Sequence, residues 1–235
     1  MKIQTFIIVH SVQLIINNYL KFTENCLDGE IIYMLVGINH DTTILKDLSI
    51  KVIHCETIPG NIEEKKNLLH LTALHIINQE KLINDDTDYI RILEYDFIFS
   101  KDYIKNCNRV LAMNKQYYTH TLITMKTCWF NPKLSWLHDI NEKAYKELFN
   151  TSISLLSRKS KSMKWCCSIN YICSKKFYDE FWNYYLKFEP YYKDAKHAGN
   201  LLERLYTLYC LHKDIEYIEI PGGSRNAFKN SHGTS

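Results

Sequence analysis

The sequence predicts an α/β fold in a single domain, and three observations carry that expectation. Short β-branched runs alternate with stretches of helical spacing through the first half of the chain. The longest such run, 88–99, is apolar apart from a few charges, two of them carboxylates at its far end. Finally, 235 residues at 46% hydrophobic and 23% charged suffice for one substantial core. Lys plus Arg exceed Asp plus Glu by only 29 to 26, scattered along the chain, which does not favour nucleic acid as a partner.

Ile3 to Val9 reads as a buried first strand rather than a signal peptide, because His10, Ser11 and Gln13 interrupt the apolar run and no small-residue cleavage site follows. Ser11 is placed to cap a helix with apolar positions Val12, Ile15, Ile16, Tyr19 and Leu20. Ile31 to Val36, ended by Gly37, and Ile50 to Ile53 read as two further strands. Pro59-Gly60-Asn61 breaks the chain, and Asn61 with Glu64 resembles a capping box opening a helix to about Gln79. Its apolar face is Ile62, Leu69, Ala73, Ile76 and Ile77, with Glu63, Lys66, His70 and Gln79 mostly elsewhere. Residues 84–88 turn the chain into the strand of the acidic pair, within the β-prone run 88–99.

In an extended chain, residues two apart share a side, so Glu94 and Asp96 project together while Tyr95 faces away. Two like charges leaving water need a cation or donors, and an ion of the Mg²⁺ or Mn²⁺ class with oxygen ligands meets that need. The pair falls where a strand ends, the place where open α/β sheets hold ligands.

Beyond it, Ser100 to about Ala112 is expected to be helical and Tyr118 to Phe130 extended, ended by Asn131-Pro132. Leu134 to Phe149 reads as a helix, Thr151 to Ser162 as a surface loop and Trp165 to Cys173 as one strand. Helices over Ser174–Lys187 and Ala195–Leu211 and a strand over Ile215–Ile220 complete the pattern, with a flexible tail from Pro221. The eight cysteines are expected as buried, reduced thiols, since Cys166, Cys167 and Cys173 lack the paired spacing of a structural zinc site. Trp129, Trp136, Trp165 and Trp182 and the tyrosines from Tyr184 to Tyr192 are expected mostly in the core, with some able to stack on a sugar. No segment approaches the roughly 18 consecutive apolar residues of a membrane span, and a cytoplasmic location is expected, host cytoplasm if the source is viral. The abundance of Lys, Asn, Ile and Tyr points to an AT-rich genome.

The order from Pro59 to Phe99 resembles the nucleotide-sugar half of a GT-A glycosyltransferase, where a basic residue and Asn on a helix precede an Asp-x-Asp motif on the metal strand. Here Lys66-Asn67 precede Glu94-Tyr95-Asp96, with Glu in place of the first Asp. The resemblance implies a single GT-A (Rossmann-like) domain with a mixed, mainly parallel central sheet flanked by helices. It would span residues 1–220, with 1–110 as the nucleotide-sugar half, 111–220 as the acceptor half and 221–235 as the tail. It further implies a metal-dependent enzyme that moves a sugar from a UDP- or GDP-sugar to a hydroxyl of a glycan or protein acceptor, with Mn²⁺ or Mg²⁺ as cofactor. Asp96 would be the direct metal ligand, and Glu94 would meet the ribose, the metal or its water shell. Lys66 would lie toward the diphosphate, Asn67 toward the sugar and His10 toward the base, with His232 completing the metal shell. The run from His197 to Leu205 resembles a Glu-Arg-Leu element of small bacterial and viral sugar transferases; in an inverting enzyme, Glu203 or Asp194 would take the acceptor's proton. Two other readings share the fold: an inactive binding or scaffold module, and a sugar nucleotidyltransferase. The latter would want a Gly-rich loop after the first strand, whereas no glycine precedes Gly29.

Overall fold

A computed structural model of the chain describes residues 1–25, 29–37, 40–55, 69–95, 98–99, 101–114, 122–124, 127–128, 136–153, 165–166, 170–192, 198–215, 217–220 and 223–224. The strands are β1 (Ile3–Val9), β2 (Glu30–Val36), β3 (Lys51–Cys55), β4 (Tyr89–Glu94), β5 (Ile98–Phe99), β6 (Leu122–Thr124), β7 (Thr127–Cys128), β8 (Trp165–Cys166), β9 (Tyr171–Ser174), β10 (Tyr217–Glu219) and β11 (Gly223–Ser224). The helices are α1 (Val12–Asn25), α2 (Leu69–Gln79), α3 (Lys101–Asn114), α4 (Trp136–Phe149), α5 (Lys175–Tyr192) and α6 (Ala198–Lys213).

Seven strands form the central sheet in the order β10-β6-β9-β4-β1-β2-β3. β3, β2, β1 and β4 run parallel, β9 is antiparallel to both β4 and β6, and β10 is parallel to β6. The chain steps from β1 outward through α1 to β2 and β3, then returns through α2 to β4 on the other side of β1. The strand order therefore reverses between β1 and β4, which makes a crevice at their carboxyl ends.

Alternation along the strands builds a core on each face. Phe6, Ile8, Ile32, Met34, Ile90 and Ile92 pack with Ala73, Leu74 and Ile77 of α2 and with buried residues of α4, α5 and α6. Ile7, Val9, Tyr33, Leu35 and Leu93 pack with Leu14 and Ile15 of α1 and with Tyr103, Cys107 and Leu111 of α3. Ser11 caps α1 as its position suggests, its hydroxyl accepting from the Leu14 N–H at 3.3 Å. The second core also holds Arg91, 1% exposed, which reaches the Thr5 hydroxyl at 3.5 Å. Cys55, Cys107, Cys166, Cys173 and Cys210 are buried free thiols, and burial pushes the Cys55 thiol up to about 12, which suppresses thiolate chemistry there.

Three expectations need correction. Trp165 to Cys173 is not one strand: β8 pairs with β7 apart from the central sheet, while β9 joins it. The main chain of Cys166 is held by α6 instead, its N–H donating to the Thr207 hydroxyl at 2.8 Å and its carbonyl accepting from Arg204. α5 runs past Lys187 and through Pro190 to Tyr192, because Phe188 and Tyr192 are fully buried one turn apart while Pro190 faces solvent near the helix end. The tail is tied down at its start, where Gly223 and Ser224 pair antiparallel with Phe99 and Ile98.

Gly29 enters β2 with φ +92°, and a Cβ there would sit 2.1 Å from the Ile3 carbonyl oxygen. Gly29→Ala should therefore lower unfolding free energy by roughly 1–3 kcal/mol from backbone strain alone, read as a reduced urea midpoint; an unchanged midpoint would refute the close approach. Between α4 and α6, His212 Nδ1 lies 2.8 Å from the Tyr145 hydroxyl. Burial, then the nearby Lys213 and Lys187 ammonium groups, hold His212 below the ordinary histidine range. The unfolded chain then binds more protons than the folded one as pH falls below about 6.5, so this histidine makes stability decline on acidification until the folded state also protonates. Urea titrations at about pH 7.5 and about pH 5 should show a smaller loss for His212→Gln than for the natural chain, and equal losses would exclude His212 as a source.

Candidate functional site

The site grows from the point where β4 runs out of ladder. Ile8 stands opposite Glu94, the last residue of the strand, and the Tyr95 N–H donates to the Ile8 carbonyl at 3.2 Å. Tyr95 is in a turn and β5 pairs elsewhere, so within the β-prone run 88–99 the strand ends at Glu94. Strand alternation therefore does not set the relation of Glu94 to Asp96, and Asp96 lies outside the described residues.

Glu94 has a side-chain exposure of 12% and faces the α2 side of the sheet. Its Oε2 accepts from Asn170 Nδ2 at 2.7 Å, while its own N–H donates to Asn170 Oδ1 at 2.7 Å. Its Oε1 lies 3.4 Å from His70 Nε2 on the first turn of α2. The spacing argument placed His70 away from the apolar face; the structure turns it toward this carboxylate. On the other side of β4, Asn18 of α1 donates to the Tyr95 carbonyl at 3.0 Å, and the His10 ring meets the Tyr95 ring edge-on at 4.6 Å. A desolvated carboxylate is costly without donors, and here both oxygens face nitrogen.

α6 lies on the same face of the sheet as Glu94. Its Tyr206 hydroxyl donates to that of Tyr171 at 2.6 Å, next in sequence to Asn170. Burial pushes both hydroxyls well above the ordinary tyrosine range, so both stay protonated. One turn earlier on α6 stands Glu203, its Oε2 3.5 Å from Arg204, with side-chain exposures of 13% and 7%.

Among the predicted residues, the structure thus gathers His10 and Glu94 at the crevice and puts Glu203 on the face Glu94 occupies. Lys66, Asn67, Asp96, Asp194 and His232 lie outside the described residues. His70, Asn170 and Asn18 escaped the sequence reading. His70 sits among helix residues of mixed character, and a polar residue before a short apolar strand carries no signal of a partner 76 positions away.

Among the described residues, no group of three or more His, Cys, Asp or Glu is arranged to hold a metal ion. Magnesium-class ions commonly take one or two carboxylates and fill their other positions with water and substrate phosphates. A carboxylate at the carboxyl end of a parallel strand fits such an ion in donor type. The two oxygens of Glu94 are turned to Asn170 and His70.

The arrangement is that of a GT-A-like α/β fold. A solved structure of the bifunctional glycosyltransferase WbbM matches 95% of this chain with a TM-score of 0.57 at 11% identity, a likeness of fold, and the chain spans 45% of that protein's length. Mouse xyloside xylosyltransferase 1 (TM-score 0.45, 7% identity, 93% of this chain and 84% of that one) and S. aureus TarS 1-349 (0.41, 15%, 87% and 55%) resemble it more loosely. No family model and no curated protein matches the sequence. Among the described residues, no helix is long and apolar enough to cross a membrane.

Arg204 links Glu203 to the Cys166 carbonyl in a nearly dry setting. Arg204→Ala should cost roughly 2–3 kcal/mol in unfolding free energy, since it removes a buried donor from the Cys166 carbonyl and the cation beside Glu203. A loss of the size usual for an exposed ion pair, under about 1 kcal/mol, would show that the pair is solvated.

Proposed function

We propose that the chain is a metal-dependent glycosyltransferase that moves a sugar from a nucleotide-sugar donor to an acceptor hydroxyl. The observation that carries this reading is the held carboxylate Glu94 at the strand-order reversal of a GT-A-like sheet, where an open α/β fold offers its ligand crevice. In it, Asp96 holds the divalent ion, Mn²⁺ or Mg²⁺, and Glu94 meets the ribose or the ion's water shell. Lys66 approaches the diphosphate, Asn67 the sugar and His10 the base, with His232 brought from the tail that β11 tethers beside β5. When bound, the ion neutralises charge on the departing nucleoside diphosphate.

The protein's own residues orient the donor and exclude water. The acceptor oxygen replaces the diphosphate oxygen at the anomeric carbon, and in an inverting reaction the acceptor's proton passes to Glu203 or Asp194. Glu203 suits that role only if the donor draws it from Arg204. The donor is a UDP- or GDP-sugar and the acceptor a glycan or protein hydroxyl.

Isothermal titration with UDP- and GDP-sugars, with and without Mn²⁺, tests the reading. Binding should require the metal and drop at least about a hundredfold in Asp96→Ala, which removes a charged ligand of the ion. Slow donor hydrolysis without acceptor should accompany binding. Metal-independent binding, or none to either donor, would overturn the proposal.

A further inference from the structure

Two side chains outside the acidic motif set the posture of Glu94, and one of them does so through main chain and side chain at once. β9 pairs with β4 from Tyr89↔Ser174 to Ile92↔Tyr171 and stops there. The next residue back, Asn170, is 1% exposed and continues the pairing with its side-chain amide: Oδ1 accepts the Glu94 N–H, and Nδ2 donates to Glu94 Oε2, each at 2.7 Å. An amide has one acceptor and one donor end, and no other uncharged side chain of this length can satisfy both groups of Glu94 together. Turning the carboxylate away would break the Nδ2 bond, and hydrogen bonds to an ionised group are among the stronger ones. From the opposite side His70 Nε2 faces Oε1 at 3.4 Å. The plane of the carboxylate is thereby fixed before any ligand arrives.

We infer that Asn170 is a positioning residue, acting through Glu94 to preset the orientation in which this carboxylate receives the nucleoside diphosphate part of the donor. The inference rests on the glycosyltransferase reading, and it assigns to the antiparallel strand a role in donor binding. Asn170 touches no reacting atom. Its effect is on affinity, since a carboxylate free to rotate must be ordered on binding.

The two bonds can be separated by substitution. Asn170→Asp keeps an acceptor for the Glu94 N–H but sets a second carboxylate against Oε2, whereas Asn170→Ala removes both bonds. Amide hydrogen exchange on the full chain reads the main-chain bond without reference to function. Exchange at Glu94 should quicken by at least about tenfold in Asn170→Ala, with Ile90 and Ile92 of the same strand unchanged, and stay slow in Asn170→Asp. Titration with UDP and GDP in saturating Mn²⁺ reads the carboxylate bond, and affinity should fall at least about tenfold in both variants, including the one whose main chain remains protected. In turnover, KM for the donor should rise with kcat nearly unchanged.

If Asn170→Ala does not fold, Asn170→Asp alone decides. Protected exchange with affinity equal to that of the natural chain would overturn the positioning role. Unchanged exchange in a folded Asn170→Ala would overturn the bracket itself. If the natural chain binds neither nucleotide, the glycosyltransferase reading fails and the positioning role with it, while the exchange result still judges the hydrogen bonds.

Discussion

Strand β4 is buried from Tyr89 to Leu93 and bonded along both edges, parallel to β1 and antiparallel to β9, so every polar group of its main chain must find a partner inside the protein. That requirement does not stop where the ladders stop. At the carboxyl end the Glu94 N–H goes to Asn170, the Tyr95 N–H to Ile8 and the Tyr95 carbonyl to Asn18. Side chains from a helix and a neighbouring strand take over from the sheet, and the same contacts hold Glu94 in place.

The sheet also decides what can reach that point. Its two faces carry separate cores, with α1 and α3 on one and α2, α4, α5 and α6 on the other. Glu94 belongs to the second face, so His70 of α2 becomes its neighbour and α6 packs on the same side of the sheet. Thr207 and Arg204 hold the main chain of Cys166 on α6, and β8 pairs with β7 outside the central sheet. Stability and site geometry thus share residues. Asn170 bonds both the main chain and the side chain of Glu94, which is why hydrogen exchange and binding have to be read together.

In the proposed reaction, which separates charge, a carboxylate held by a neutral amide would need little reorganisation when the ligand binds. Three of the tyrosines considered as sugar platforms fill another need. Tyr184 packs against α4 and α6, Tyr185 meets His75 of α2 and Tyr192 bonds Asn141 of α4, and burial raises their hydroxyls above the ordinary tyrosine range, so they belong to the core.

Much of the architecture was legible in the sequence because local order writes short-range patterns. The β-branched run at Ile3–Val9 matches β1 residue for residue, Ser11 caps α1, and the helical spacing around Phe177, Phe181 and Tyr184 is the buried face of α5. Glu94 stood out for the same reason, as a charge in an apolar strand. Where packing outweighs local propensity the sequence misleads: burial of Tyr192 carries α5 through Pro190, and capture by α6 splits the Trp165–Cys173 run in two. The sequence by itself determined the fold class and the acidic strand end. The tertiary structure decided which groups meet that carboxylate, because Asn170 and His70 are set 76 and 24 positions away in the chain and join it through strand pairing and helix packing that no local spacing encodes.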